Sequence, residues 1–240
     1  MKLKKSAEKS RKKGTRRVNP TIVIICEGKE TEVNYFEGFD SKYTRVDVKV
    51  ADKKSRGKDK GKATDCKSLV ERAIYYKENK YDINEEDGDR VWCVFDVDIN
   101  YKNNNAIQSK IDEIEKARPI ADRNKISLGV SNPCFELWFL LHFEYTTANL
   151  KNYDAVIQKL NKYISDYEKN KDIYEELKKL TDKAIDFGKR LRKHHESLGR
   201  KLPNVEKDKH KAIVKDLVES NPYTNIGDLV DYMEELERHK

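Results

Sequence analysis

The chain of 240 residues has no long apolar run. The longest, Thr21–Cys26 and Leu137–Leu141, fall far below the roughly 18 residues that a membrane-spanning helix needs, and the mean hydropathy is −0.93. An integral membrane protein is therefore not expected. Cysteine is scarce too: Cys26, Cys66, Cys93 and Cys134 lie 40, 27 and 41 residues apart, and none forms a Cys-x-x-Cys pair. Most sit in apolar stretches, where a free thiol serves as a small core residue, so a reduced cytoplasm is the expected setting. Several familiar chemistries are missing. His194-His195 has no Cys or further His at zinc-ligand spacing, no Gly-x-Ser-x-Gly is present, and no Cys/His pairing suggests a thiol nucleophile. Gly57-Lys58-Asp59-Lys60-Gly61-Lys62-Ala63 imitates a phosphate-binding loop, yet it is one residue short between glycines and lacks the Ser/Thr for magnesium. Hydrolysis of nucleoside triphosphates by this chain is not expected. Residues 1–18 are basic, but no apolar segment follows them, so they do not read as a secretory signal.

What the chain does have is charge, 39% of residues, beside a 37% hydrophobic fraction that suffices for a real core. The net charge of +7 is unevenly spread: residues 1–18 carry nine Lys/Arg against Glu8 alone, and the rest of the chain sums to −1. A second basic cluster, Lys53, Lys54, Arg56, Lys58, Lys60 and Lys62, stands against only Asp52 and Asp59. Both segments lack periodic apolar residues and read as a flexible tail and a mobile loop. Lysine-rich segments of this kind neutralise phosphates and release counterions, which suits a nucleic-acid partner; the same composition also serves simply to keep a surface solvated.

Along the chain, strand and helix alternate as far as Tyr145. Thr21–Cys26 is a β-branched run between Pro20 and Gly28, the pattern of a strand buried on both faces. Helical spacing follows over Glu30–Phe39, alternation over Thr44–Val50, and a helix over Asp65–Lys80. Val91–Phe95 is the next buried strand, Asn104–Ala117 the next helix, and Lys125–Val130 a short strand. Pro133 can open a helix, and Cys134–Phe143 is apolar almost all round, hence predicted to be core. Residues 151–200 and 206–238 read as charged helices, each with an apolar stripe and no convincing strand. The expectation is an α/β fold: a largely parallel sheet flanked by helices over 19–145, with 146–240 a helical lobe completing the same domain.

Ligands of open α/β sheets gather outside the carboxyl ends of the strands, and two such ends here are acidic. The first strand runs into Glu27-Gly28; the strand at Val91 runs into Asp96-Val97-Asp98. Carboxylates two apart in extended backbone point to one side, so Asp96 and Asp98 are predicted to approach one cation, with Glu27 joining if the two strands are neighbours. Hard oxygen donors with open positions suit Mg²⁺ or Mn²⁺, and such a site can activate water for phosphodiester cleavage. Each piece also has a plain structural explanation, Asp-x-Asp as turn chemistry and Glu27 as a charge favouring a helix dipole. Glu136 lies inside the most apolar segment, where an ionised carboxylate needs a cation or good hydrogen bonds; pairing with an Arg is the simpler alternative. His142, nearly opposite around that helix, reads as core.

Four motifs in order resemble the RloB-like proteins: Ile25-Cys26-Glu27-Gly28-Lys29-Glu30-Thr31-Glu32-Val33-Asn34-Tyr35-Phe36, then Val94-Phe95-Asp96-Val97-Asp98, the Ser131–Phe143 segment, and Asn221-Pro222-Tyr223-Thr224-Asn225. The resemblance implies a Toprim-like fold, the metal-binding module of topoisomerases, primases and the overcoming-lysogenization-defect (OLD) nucleases. It implies Mg²⁺ or Mn²⁺ on Glu27, Asp96 and Asp98, with Glu136 a candidate for the further acid and Lys29 or Lys169 for the lysine that OLD-type sites use. It implies a nuclease acting on DNA or RNA in phage defence, often beside an ATPase partner protein. A non-catalytic accessory subunit that binds nucleic acid or the ATPase is the rival. Lys53, Lys54, Arg56, Lys58, Lys60, Lys62 and Lys169 are the candidate nucleic-acid contacts. No membrane partner is expected, and homo-oligomer formation stays open.

Overall fold

A computed structural model describes residues 19–40, 45–50, 65–203 and 213–238. Its centre is a five-stranded sheet: β1 (Thr21–Cys26), β2 (Arg45–Val50), β3 (Arg90–Asp96), β4 (Ile126–Asn132) and β5 (Tyr223–Thr224), in the spatial order β2-β1-β3-β4-β5. The first four are parallel, and β5 is antiparallel to β4. The fold is thus α/β with a mostly parallel sheet, as the alternation predicts.

Both faces of the sheet are covered, which is why β1 and β3 read as unbroken apolar runs rather than as alternating ones. Ile22, Ile24 and Cys26 of β1 join Trp92 and Val94 of β3 on one face. Val23 and Ile25 join Val91, Cys93 and Phe95 on the other. The first face packs against α1 (Thr31–Glu37), α4 (Glu136–Leu141), α5 (Tyr153–Leu160), α6 (Tyr174–Lys178), α7 (Thr181–Ser197) and α9 (Ile226–Arg238). The second packs against α2 (Cys66–Asn79), α3 (Asn104–Arg123) and α8 (Val214–Glu219). The β1–α1–β2 connection moves one way along the sheet and β2–α2–β3 moves back, so right-handed crossovers place α1 and α2 on opposite faces. All four cysteines are buried free thiols. Among the described residues no helix is long and apolar enough to cross a membrane.

Three details depart from the sequence reading. The region after Tyr145 does contain a strand: β5 has only two residues, too few for a period to show. Its side chains finish the job, since Asn225 accepts from Val130 N (2.6 Å) and donates to Leu128 O (2.9 Å), prolonging the ladder beyond the strand itself. Helix α3 runs through Pro119 to Arg123, six residues past the predicted end. Pro133 does not open a helix; α4 starts at Glu136 and is shorter than predicted. The C-terminal helices pack on the sheet: Ile185 of α7 and Leu229 of α9 share one apolar cluster with Ile22 and Phe36.

Candidate active site

Strand order reverses between β1 and β3, the neighbours from which the chain leaves in opposite directions. A crevice opens at such a switch point, outside the carboxyl ends of the two strands. Glu27 follows the last residue of β1, and its backbone N–H extends the ladder to Val94 O at 3.0 Å. Asp96 ends β3. The two acids therefore meet: a Glu27 carboxylate oxygen lies 3.4 Å from Asp96 N. The neighbourhood of β1 and β3 on which the shared site depended is realised.

The resulting cleft of about 500 Å³ is lined by Glu27, Lys29, Glu30, Glu32, Asp96, Asp98, Lys110, Glu136 and Lys169, with Gly28, Thr31 and Phe135. Six carboxylates thus face three lysines. Asp98 reaches it by a route other than strand alternation. The chain leaves the strand after Asp96 and turns, with Val97 N donating to Ser131 O (2.8 Å) and Asp98 N to Pro133 O (3.1 Å). Asp98 adopts φ 33°, a left-handed conformation that Asp tolerates better than most residues.

Burial and crowding govern the chemistry. Burial pushes the Glu27 carboxyl above its ordinary range, with Lys110 as the main opposing charge. Glu32, 6% exposed in the first turn of α1, is pushed up to about 7 by burial and by Glu136 and Glu27. Asp96 lies well above the carboxylate range through burial first and then Glu32, Glu136 and Glu27. The Asp96 residue keeps some surface, but its Oδ1 is fully covered and has no hydrogen-bond partner; the Phe135 N–H serves the carboxylate. Glu136, 2% exposed, accepts from the hydroxyls of Thr31 (3.3 Å) and Tyr167 (3.4 Å). Among the described residues it has no ion pair, so the pairing with Arg is not found.

Three charged cleft residues, Glu30, Glu32 and Lys110, were not picked out as site residues from the sequence. Glu32 is five positions after Glu27, and the signal was Gly28: a Cβ there would stand 2.1 Å from Glu32 Oε2, so the absent side chain makes room for the carboxylate. Lys110 is on α3, beside the apolar stripe of Ile107, Ile111 and Ile114. A lysine next to a buried stripe is the clue, and its Nζ lies 3.4 Å from Asp96 O and 3.5 Å from Glu113. Lys29 is exposed at the cleft. Lys169 belongs to the cleft rim, its Nζ 4.5 Å above the Tyr153 ring, and its backbone carbonyl accepts from Thr31. The basic loop residues Lys53, Lys54, Arg56, Lys58, Lys60 and Lys62, and the tail 1–18, lie outside the described residues. His142 is core, as read: fully buried, its Nδ1 2.9 Å from Trp138 O, and its pKa lowered by burial to about 4. His195 is likewise structural, lying against Pro222 O and Arg200.

The other motifs shared with the family are scaffolding. Asn132 donates to Val218 O and Ser220 O, and accepts from Tyr101 and Asn221. Asn221 also exchanges two hydrogen bonds with the Leu150 backbone. No curated protein and no solved structure significantly matches the chain. A family model described as RloB-like protein matches residues 22–233, a span that holds both strand-end acids and both asparagine motifs, and the chain belongs to that family.

Proposed function

We propose that this protein is a divalent-cation-dependent nuclease, hydrolysing phosphodiester bonds at the cleft between β1 and β3. The observation that carries the reading is Asp96 Oδ1, covered and without a partner among Glu27, Glu32 and Glu136. A buried anion in that position requires a proton or a cation, and carboxylate donors suit Mg²⁺ or Mn²⁺. Glu27, Asp96 and Asp98 would hold the ion, in keeping with Toprim-like roles, with Glu32 and Glu136 completing the donor set. The bound cation would supply Lewis-acid polarisation and a nucleophilic water. Lys110 restrains the charge of Glu27, while Lys29 and Lys169 offer cationic groups to a phosphate at the rim. In the same reading the nuclease serves phage defence beside an ATPase, which a phage-plating assay of wild type against an Asp98→Asn strain would test.

Cleavage of RNA, single-stranded DNA and duplex DNA should appear with Mg²⁺ or Mn²⁺ and vanish in chelator. Asp98→Asn should lower the rate by roughly a hundredfold or more, the scale of removing an electrostatic stabiliser. A folded Asp98→Asn protein cutting at the wild-type rate would end the proposal. Gly28→Ala probes Glu32 specifically. The clash falls on the far end of a flexible side chain, so stability should change by less than about 1.5 kcal/mol. Mn²⁺ affinity, read by calorimetry, should fall roughly tenfold, a loss of about 1.4 kcal/mol in binding. Unchanged affinity would remove Glu32 from the donor set.

One observation favours the accessory-subunit alternative. Among the described residues no three His, Cys, Asp or Glu side chains stand close enough to hold a metal ion as they are. The nuclease reading requires the acids to draw together around the ion. Calorimetry that detects no Mn²⁺ binding to the wild-type protein would favour the non-catalytic version.

A further inference from the structure

We propose that a strip of cationic and aromatic side chains, running from the end of α5 onto α7, seats single-stranded nucleic acid that leads toward the cleft rim at Lys169. This deepens the nuclease reading by naming a substrate class, and it rests on that reading only for the direction in which the strand leads.

From Lys159 to Arg190 the strip can be followed contact by contact, and a separate cation–ring pair stands at the cleft rim. At the rim, Lys169 lies over Tyr153, the first residue of α5. At the other end of α5, Lys159 pairs with Glu144 at 2.6 Å, and Glu144 also accepts from the Tyr163 hydroxyl at 2.9 Å. The Tyr163 ring, 45% exposed, is stacked on Phe143 with centroids 4.9 Å apart and planes 5° from parallel. Lys183 of α7 donates to Phe143 O at 2.8 Å and lies 5.4 Å from the centre of the Phe187 ring. Arg190, one turn further, covers Phe187 at 5.1 Å and Tyr145 at 4.3 Å.

Lys183, Phe187 and Arg190 recur at helical spacing on one outward face of α7, with exposed Lys193 beside them. Two of the acids along the way are already engaged, while Asp154, Glu168 and Asp182 are exposed beside the strip. Glu144 is held by Lys159 and Tyr163, and Asp186 stands 3.8 Å from Arg190. Aromatic rings set among cations are what an unpaired strand needs: every base has a face to stack, and every phosphate a charge to neutralise. A duplex hides its base faces, so rings on an open surface add nothing to its binding. The outer rings Tyr163, Phe143, Tyr145 and Phe187 are at least partly exposed, which a purely structural cluster would not require.

The test is binding in chelator, where chemistry is silent, using short labelled single-stranded RNA, single-stranded DNA and duplex DNA with the full chain. Lys183→Gln/Arg190→Gln removes two charges together with their contacts to Phe143 O, Phe187 and Tyr145, and Tyr163→Ala removes a ring. Tail 1–18 and loop 53–62 are common to every protein compared, so their contribution cancels. The charge variant should bind single strands roughly tenfold more weakly, with a salt slope shallower by about 1.4, as for two lost phosphate contacts on a single strand. Tyr163→Ala should weaken single strands roughly fivefold or more and leave the duplex unchanged. Both variants should retain wild-type melting temperatures. Variants that hold single strands within about twofold of wild type overturn the strip, as does an equal loss on duplex after Tyr163→Ala. Weaker binding by the variants of a wild-type protein that never cuts would leave the strip standing and fell only the nuclease reading.

Discussion

Asp96→Asn should raise the melting temperature of the cation-free protein and, under the proposed nuclease function, abolish cation-dependent cleavage. The two effects have one cause. In the wild type, folding drives a carboxyl group with a covered, unpartnered oxygen into a cluster with Glu27, Glu32 and Glu136. The folded-state pKa of Asp96 is raised, so above its ordinary range the folded protein holds a proton that the unfolded chain has released, and stability falls as pH rises. Asparagine has no such proton to hold. The melting-temperature difference between variant and wild type should therefore be near zero at about pH 4 and grow toward about pH 8. At about 2 kcal/mol for a buried group lacking its partner, it reaches roughly 4–8 °C.

The difference curve is the clean reading, because His142, held neutral with a pKa of about 4, loses stability in the opposite direction as pH falls from its ordinary range. Mg²⁺ or Mn²⁺ should reverse the order. A ligand at a hundred times its Kd stabilises the folded wild type by about 2.7 kcal/mol, and the Asp96→Asn protein should gain little. A variant no more stable than wild type at high pH, or one equally stabilised by the cation, contradicts the site as described.

Asn132→Ala should be the most damaging single change away from the cleft. Asn132 is fully buried at the end of β4. Its amide ties the carbonyls of Val218 and Ser220 to the strand, while its oxygen receives Tyr101 and Asn221. Alanine leaves Ser220 O without that donor and opens a void where three segments meet. Unsatisfied buried groups and lost packing together cost on the order of 3 kcal/mol, or about 6–12 °C in melting temperature. A loss below about 1 kcal/mol would show that the network is solvated rather than structural.

Some of this was open to reading and some was not. The runs Thr21–Cys26 and Val91–Phe95 announce strands covered on both faces because β-branched and aromatic residues fill every position. Glu27 and Asp96 follow directly at the ends of those strands. Asp98 lines the cleft, but a turn with positive φ delivers it there and not strand alternation. Lys110 and Glu32 carry only faint local signals, a lysine beside an apolar stripe and a glycine four residues before a glutamate; each becomes a cleft residue only when α3 and α1 dock on opposite faces of the sheet. The asparagines of the two Asn-Pro segments belong to the same class, since what they bond lies 31 to 97 residues away.

The sequence by itself determined the alternation of strands and helices, the burial of three of its four thiols, and which residues terminate β1 and β3. These are local matters, governed by side-chain volume, branching and period. Tertiary structure alone decided that β1 and β3 are neighbours, and therefore that Glu27 stands against Asp96. It also decided that β5 exists, because a two-residue strand is held by its partner and not by its own propensity. The strength of the acidic cleft lies in the same level of organisation. A carboxylate's demand for a proton or a cation arises from the low-dielectric surroundings and neighbouring charges that folding assembles, and no single segment contains them.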